Sequence, residues 1–287
     1  MLHVLNSRGW FDTSRPFEYS VNLTRGACLW LLLMRRGHGE RYAKFSQCQS
    51  LAQEASRSQE ASFRYPELAP LFVGYAQVGG LEVLASNAVD ALGFTPSEVL
   101  LSSRGRGLLL RLGSYFEAMH AVHPASVPLA VTNRQLAGPL TRYFEQGSLT
   151  ALAQRWLSSP LMNLTLELPD MPQHGDFVLN NIGQRERGGV VIFDWEDFGA
   201  SALPGLDLFT FELSLADDPA RFLEMRQSDH GGLRRLKHHA CRSMGLAIAD
   251  YHALTPIYAL VFRYLKRNYG PWVRERMDHL LLKLGHA

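Results

Sequence analysis

Cysteine is scarce in this 287-residue chain, and the three present (Cys28, Cys48, Cys241) are odd in number and lack metal-ligand spacing. That excludes a disulfide framework and a zinc site, and it makes a reducing, cytoplasmic compartment the expectation. Excess charge of either sign is missing too. With 29 basic against 27 acidic residues, the net charge is +2, which gives no footing for a nucleic-acid or membrane-surface partner. Long apolar runs are absent. The longest, Ala27 to Met34, has eight residues, against the roughly 20 that cross a bilayer, so it reads as a buried strand. Residues 1–10 hold no apolar segment ahead of a small-residue cleavage site, so no signal peptide is expected. Internal repeats, low-complexity tracts and long linkers are lacking as well, and nothing bears on oligomeric state.

What remains is the composition of a globular protein, 46% apolar and 20% charged. It is long enough for one large domain or two joined lobes. The first third reads as sheet. Phe17 to Leu23 alternates apolar with polar, Ala27 to Met34 is continuously apolar, and Glu40 to Ser46 alternates again. Arg35-Arg-Gly-His-Gly39 supplies the turn of a hairpin whose returning arm carries Lys44 at its middle. Residues 48–64 read as a polar helix, followed by short strands at Phe72 to Gln77 and Leu81 to Ser86. Helical spacing takes over from Leu108, runs through 134–158 with a break at Gly147, and returns over 203–269 and 272–285. The pattern predicts two lobes, 1–86 and 87–287, with a joint near residue 86.

Between the helical stretches lies QHGDFVLNNIG (173–183), then VVIFDWEDFG (190–199), where polar residues crowd into apolar runs. Leu179 to Ile182 and Val190 to Trp195, separated by a polar gap with glycines at both ends, predict a β-hairpin. Such a hairpin puts Asn181 beside Asp194, with Asp176 in the loop that feeds it. One carboxylate and one amide oxygen suit a hard divalent cation carrying phosphates. The loop carboxylate is then left to take a proton from an attacking hydroxyl, and the set as a whole suits phosphoryl transfer. Strand alternation would turn Asn180 to the face opposite Asn181.

The pattern His174-Gly-Asp-x-x-x-x-Asn181, then Phe193-Asp-Trp-Glu196, resembles the aminoglycoside phosphotransferase family. This is the small-molecule branch of the protein-kinase-like fold, which also includes choline and homoserine kinases. The separation of 18 positions between Asp176 and Asp194 agrees with that pattern. The resemblance implies an α+β, two-lobed fold, with an antiparallel-sheet nucleotide lobe over 1–86 and a mostly helical lobe over 87–287 holding the acceptor site. It implies Asp176 as catalytic base, with Asn181 and Asp194 as ligands of nucleotide-bound Mg²⁺. Lys44 would contact the α- and β-phosphates, steadied by Glu54 or Glu60 on the next helix, with Glu54 preferred for its apolar neighbours. Val83-Leu-Ala-Ser-Asn-Ala88 would be the hinge, reading adenine through backbone groups around Ser86 and Ala88. Pro204-Gly-Leu-Asp-Leu208 matches a downstream segment whose Asp207 is structural. Asp197-Phe-Gly falls three residues late for the metal motif and reads as part of the turn after the strand.

The sequence departs from the family in two places. Val178-Leu-Asn180 stands where the family has His-Pro-Gly, and Leu23-Thr-Arg-Gly26 offers one glycine where a glycine-rich loop is expected. The implied activity is an ATP- or GTP-dependent, Mg²⁺-dependent transfer of the γ-phosphate to a hydroxyl of a sugar, aminoglycoside-like or amino-alcohol molecule. The poor glycine loop keeps a catalytically weak nucleotide-binding or scaffold protein as the alternative. A metal-dependent hydrolase using His174, Asp176 and Asp194 ranks third. The basic clusters at Arg104/Arg106, Arg234 to Lys237 and Arg263 to Arg267 read as solvated helix faces. Glu212, Asp217, Asp218, Arg221 and Arg226 read as surface charge, as do the late histidines, His252 among them.

Overall fold

The computed structural model describes residues 1–23, 28–121, 129–186, 188–227 and 230–286. The chain packs into two compact units, Met1–Gly93 with Ile182–Asp197, and Phe94–Asn181 with Phe198–Ala287. The first therefore closes at Gly93 rather than near residue 86, and it recruits a later hairpin. Both differences have one cause: a short strand at Ala91–Leu92 pairs with that hairpin.

In the first unit, α1 (Leu2–Ser7) precedes β1 (Glu18–Leu23), β2 (Leu29–Arg35) and β3 (His38–Ser46). Then come α2 (Ala52–Arg64), β4 (Phe72–Val78) and β5 (Leu81–Asn87). The five strands form an antiparallel sheet in the order β1-β2-β3-β5-β4. Arg36 and Gly37, at φ 54° and 78°, make the two-residue connection between β2 and β3. Both residues at positive φ is what a twist-compatible hairpin turn requires. Alternation then sorts the side chains. Leu31, Leu33, Ala43, Phe45, Val83 and Ala85 form one core face with Val4, Leu5 and Phe11. Lys44, between Ala43 and Phe45, must point the other way. There it lies over the Trp30 ring, which packs against Tyr42.

A second sheet joins β6 (Ala91–Leu92), β7 (Ile182–Arg185) and β8 (Val190–Ile192) in that order. Ile182 pairs with Ile192 and Gln184 with Val190. The hairpin expected from the sequence is present but shorter at its open end. Leu179–Asn181 form a 3-10 turn, and Trp195–Asp197 form another. Local bonds explain both. The Asn181 N–H donates to the Val178 carbonyl, and the Trp195 indole donates to the Ile192 carbonyl. Strand alternation is thus not what separates Asn180 from Asn181.

The second unit is helical: α3 (Pro96–Leu101), α4 (Ser103–Ala121), α5 (Ala137–Phe144), α6 (Thr150–Leu157) and α7 (Pro160–Glu167). After the excursion through β7 and β8 follow α8 (Leu206–Ser214), α9 (Pro219–Gln227), α10 (Gly231–Ser243), α11 (Ile248–Ala253), α12 (Thr255–Leu265) and α13 (Pro271–His286). Residues 206–213 of α8 are all buried, so this helix is the axis of the unit's core. Among the described residues, no helix is long and apolar enough to cross a membrane.

That burial corrects the expectation of surface charge at Glu212, which is 0% exposed. Its carboxylate meets Lys237 Nζ at 3.3 Å, Arg226 Nη1 at 3.8 Å and the Tyr251 hydroxyl at 2.5 Å. Arg226 and Lys237, expected on solvated faces, are buried with it. Burying a carboxylate without partners is costly, and the two cations beside it offset that cost. Arg226 also donates from Nη2 to His252 Nδ1 at 3.1 Å. A guanidinium has no acceptor, so Nδ1 must be unprotonated. Burial first, then Arg226 and Lys237, hold the His252 pKa below its usual 6.5. A histidine lowered in the folded state leaves stability intact above the unfolded value and removes it as pH falls. Melting temperature should therefore drop as pH falls below about 6.5, and more shallowly in His252→Gln. Identical slopes would remove His252 from the account.

Candidate active site

In the first unit, Lys44 is the centre of an acidic cluster. Its Nζ lies 2.5 Å from Glu54 Oε2 and 3.5 Å from Glu196 Oε2. The reason Glu54 is the partner is helix position. It sits in the first turn of α2 facing the sheet, whereas Glu60 pairs with Arg64 one turn on. Lys44 and Glu54 are shielded, with side chains 7% and 11% exposed. Burial works against the lysine's charge, but Glu54, Glu196 and Asp194 outweigh it and raise its pKa. Burial likewise pushes the Glu54 carboxyl up, against the pull of Lys44. The direction that fixes the pair is the lysine's, because a raised lysine is fully protonated at neutral pH.

Asp194 follows β8 in left-handed backbone, φ 61°, with its side chain exposed. Aspartate is one of the few residues that tolerates this conformation. Oxygens of Glu54, Asp194 and Glu196 lie within 4.8 Å of one another. Three carboxylates around one ammonium leave net negative charge, and hard oxygen donors of this kind fit Mg²⁺. Glu196 and Arg57 carry no role in the sequence reading. Arg57, three residues after Glu54 on α2, donates to the Glu196 carbonyl and lies 4.0 Å from Asp197 Oδ1. Helical i,i+3 spacing was the available signal for Arg57, and proximity to Asp194 in sequence was the signal for Glu196.

The expected hinge residues fall at the end of β5. Ser86 pairs with Tyr42 and Phe72, and the Ala88 N–H donates to the Glu40 carbonyl at 3.3 Å. The Ala88 donor is thus engaged within the sheet. Residues 24–27, most of the expected phosphate loop, lie outside the described residues.

In the second unit, Asp176 follows Gly175, whose φ of 84° makes the sharp turn after His174. Asn181 Nδ2 donates to the Asp176 carbonyl at 3.0 Å and to its Oδ2 at 3.3 Å. Using its nitrogen this way leaves the Asn181 amide oxygen as a cation ligand. Asp176 Oδ1 is 2.9 Å from Lys266 Nζ, on the 3-10 turn after α12. Lys266 is 1% exposed, which corrects the expectation of a solvated position there, while Arg267 next to it is exposed. Its ammonium also sits 4.2 Å from the Tyr269 ring centroid. Only a partner far along the chain revealed it, so no local pattern signalled the role.

Asp207, at the start of α8, ties the loop down. Its Oδ1 accepts the Gly175 N–H, and its Oδ2 accepts the His174 N–H and the Tyr115 hydroxyl. Burial raises its pKa, while His174, Tyr115 and the two N–H donors pull the other way. Asp207→Asn turns one acceptor into a donor facing donors. It should cost about 1–3 kcal/mol of stability and lower kcat as the loop loosens. Unchanged melting and turnover would leave Asp207 without this role. His174 is fully buried, and its Nδ1 accepts the Asp176 N–H at 3.3 Å. A metal at that nitrogen would displace this bond, which weighs against the hydrolase alternative.

Alongside Asp176 is a chamber of about 340 Å³ lined by α8, α12 and α13. The sequence model of a family described as "Phosphotransferase enzyme family" matches residues 69–239, more than half of the chain. No curated protein matches in sequence. Among solved structures, aminoglycoside phosphotransferase APH(3'')-Id from Streptomyces rimosus is similar at a TM-score of 0.61. It is 18% identical over 92% of this chain and 96% of that one. A thermostable mutant of aminoglycoside phosphotransferase APH(4)-Ia, in ternary complex with ADP and hygromycin B, gives 0.60. It is 12% identical over 98% and 97%. A choline/ethanolamine kinase family protein from Mesorhizobium loti gives 0.59, at 16% identity over 99% and 93%. At such identities the likeness is one of fold: the two-lobed, protein-kinase-like arrangement of an antiparallel sheet followed by helices.

Proposed function

Because the chain belongs to the phosphotransferase enzyme family, we propose that it moves the γ-phosphate of ATP or GTP to a hydroxyl of a small molecule. The observation that carries this is Asp176, a carboxylate held by Asn181 and Lys266 at the wall of a chamber. A carboxylate so placed accepts the acceptor's hydroxyl proton as the oxygen–γ-phosphorus bond forms. The bond from γ-phosphorus to the β,γ-bridging oxygen breaks, and its electron pair stays with the nucleoside diphosphate. Lys44, fixed by Glu54, is suited to neutralise charge on the α- and β-phosphates. Asn181 and Asp194 are the residues that would hold Mg²⁺, which when bound supplies charge neutralisation on the nucleotide. That a relative was solved with ADP supports a nucleotide donor here.

Most of the acceleration in such a reaction is positioning and electrostatics. Asp207 does the positioning at the base and Glu54 at the lysine. The expected result in a thermal-shift titration is stabilisation by Mg-ATP or Mg-GTP that is lost on adding EDTA. At 100 times Kd the gain should be about 2.7 kcal/mol. No shift with either nucleotide would sink the kinase reading.

A further inference from the structure

The chamber beside Asp176 carries charge of an unexpected sign. Among the described residues its charged lining is Asp176, Lys266 and Arg276, with no second carboxylate. Lys266 compensates Asp176 at 2.9 Å, so the surplus charge belongs to Arg276. That side chain is held from behind: Nη2 donates to the Leu213 carbonyl at 2.9 Å and the Ala216 carbonyl at 2.6 Å. Its Nε is buried without a hydrogen-bond partner among the described residues. Burial lowers the Arg276 pKa, against the pull of Asp217 and Asp218, neither of which lines the chamber. The remaining wall is mostly apolar, with Phe262, Trp272 and Val273. Of the small polar groups, Ser214 is committed to the Leu179 N–H and the Phe211 carbonyl, and Thr210 to the Asp207 carbonyl.

A polyamine sugar needs carboxylates to receive its ammonium groups, and this wall has none to spare. The uncompensated cation, Arg276, would face it instead, and like charges brought together in a partly desolvated chamber oppose binding. The volume, near the low end of the roughly 300–1,000 Å³ usual for ligand sites, also favours a single ring or a short chain. We propose that the phosphate acceptor is a small hydroxy acid, whose anionic group is drawn by Arg276 while its carbon skeleton lies along Phe262 and Trp272. The proposal rests on the kinase reading of Asp176 and adds the charge class of the substrate to it.

The test uses the full chain with γ-labelled Mg-ATP and two matched acceptor sets: glycerate, glycerol and 3-amino-1,2-propanediol; gluconate, glucose and glucosamine. In at least one set the carboxylate member should exceed the neutral one by about tenfold in kcat/KM, and the amine should be poorest. In Arg276→Gln that preference should fall to within about threefold. If this variant fails to fold, the wild-type ranking alone decides. An amine or neutral member ranking first, or no labelling by protein that Mg-ATP stabilises, overturns the acceptor class and leaves the kinase reading standing. Absence of both labelling and nucleotide stabilisation overturns the kinase reading, and the acceptor class with it.

Discussion

Asp176→Asn should lower kcat for phosphate transfer by at least about 10³-fold, toward the upper end of what a positioned general base contributes. The substitution keeps the shape and the capacity to accept one hydrogen bond, but an amide does not take up a proton. Two further consequences separate loss of the base from loss of the fold. Lys266 is buried against this carboxylate at 2.9 Å, so the variant removes a counter-charge from a buried ammonium. Melting temperature should fall for that reason, by the logic of a broken buried pair. The additional shift produced by Mg-ATP should persist, because Lys44, Glu54 and Asp194 are untouched. Turnover at the wild-type rate would remove Asp176 as base whatever the melting curves show.

How much of this was legible in the sequence depends on the distance between cause and consequence along the chain. The β2–β3 hairpin is written locally, in the alternation from Leu31 to Phe45 and in the Arg36-Gly37 turn. So the side of the sheet that Lys44 faces is also local. Glu54 as its partner needed only the start of α2, which is equally local. The expectation for Asp176, Asn181 and Asp194 rested on spacing and resemblance; of these the structure joins Asn181 to Asp176 by hydrogen bonds, and the strand assumed at 179–181 is a 3-10 turn. Lys266 was out of reach because it lies 90 positions from Asp176. In sequence it sits in a cluster with Arg263 and Arg267 that looks like any solvated helix face. Glu212 was misjudged for a related reason. A lone acidic residue in an apolar helix gives no sign of the cations that will neutralise it, here from α9 and α10. Periodicity reports which face is buried, but the partner of a buried charge is tertiary information.

Lys44→Met should cut kcat/KM by about 10²–10³, the scale for removing one preorganised charge donor from a phosphoryl or oxyanion site. It should also abolish most of the nucleotide-induced thermal shift. The variant is expected to lose about 3–5 kcal/mol of stability as well, because Glu54 stays shielded with no ammonium and with Glu196 and Asp194 close by. That stability loss has a distinct pH signature. Burial already raises the Glu54 carboxyl pKa in the wild type, and removing Lys44 takes away the main opposing influence. An acid whose folded-state pKa is raised stabilises below its unfolded value and destabilises as pH rises through the folded one. Melting temperature of Lys44→Met should therefore recover as pH is lowered toward the usual glutamate range near 4.5. Replacing both partners, Lys44→Met with Glu54→Leu, should restore stability near pH 7 by removing the orphaned carboxylate. Activity should stay low in the double variant, because the cation proposed for the nucleotide phosphates is still gone. A double variant that regains turnover along with stability would show that the pair holds the sheet and α2 together and does nothing for the nucleotide.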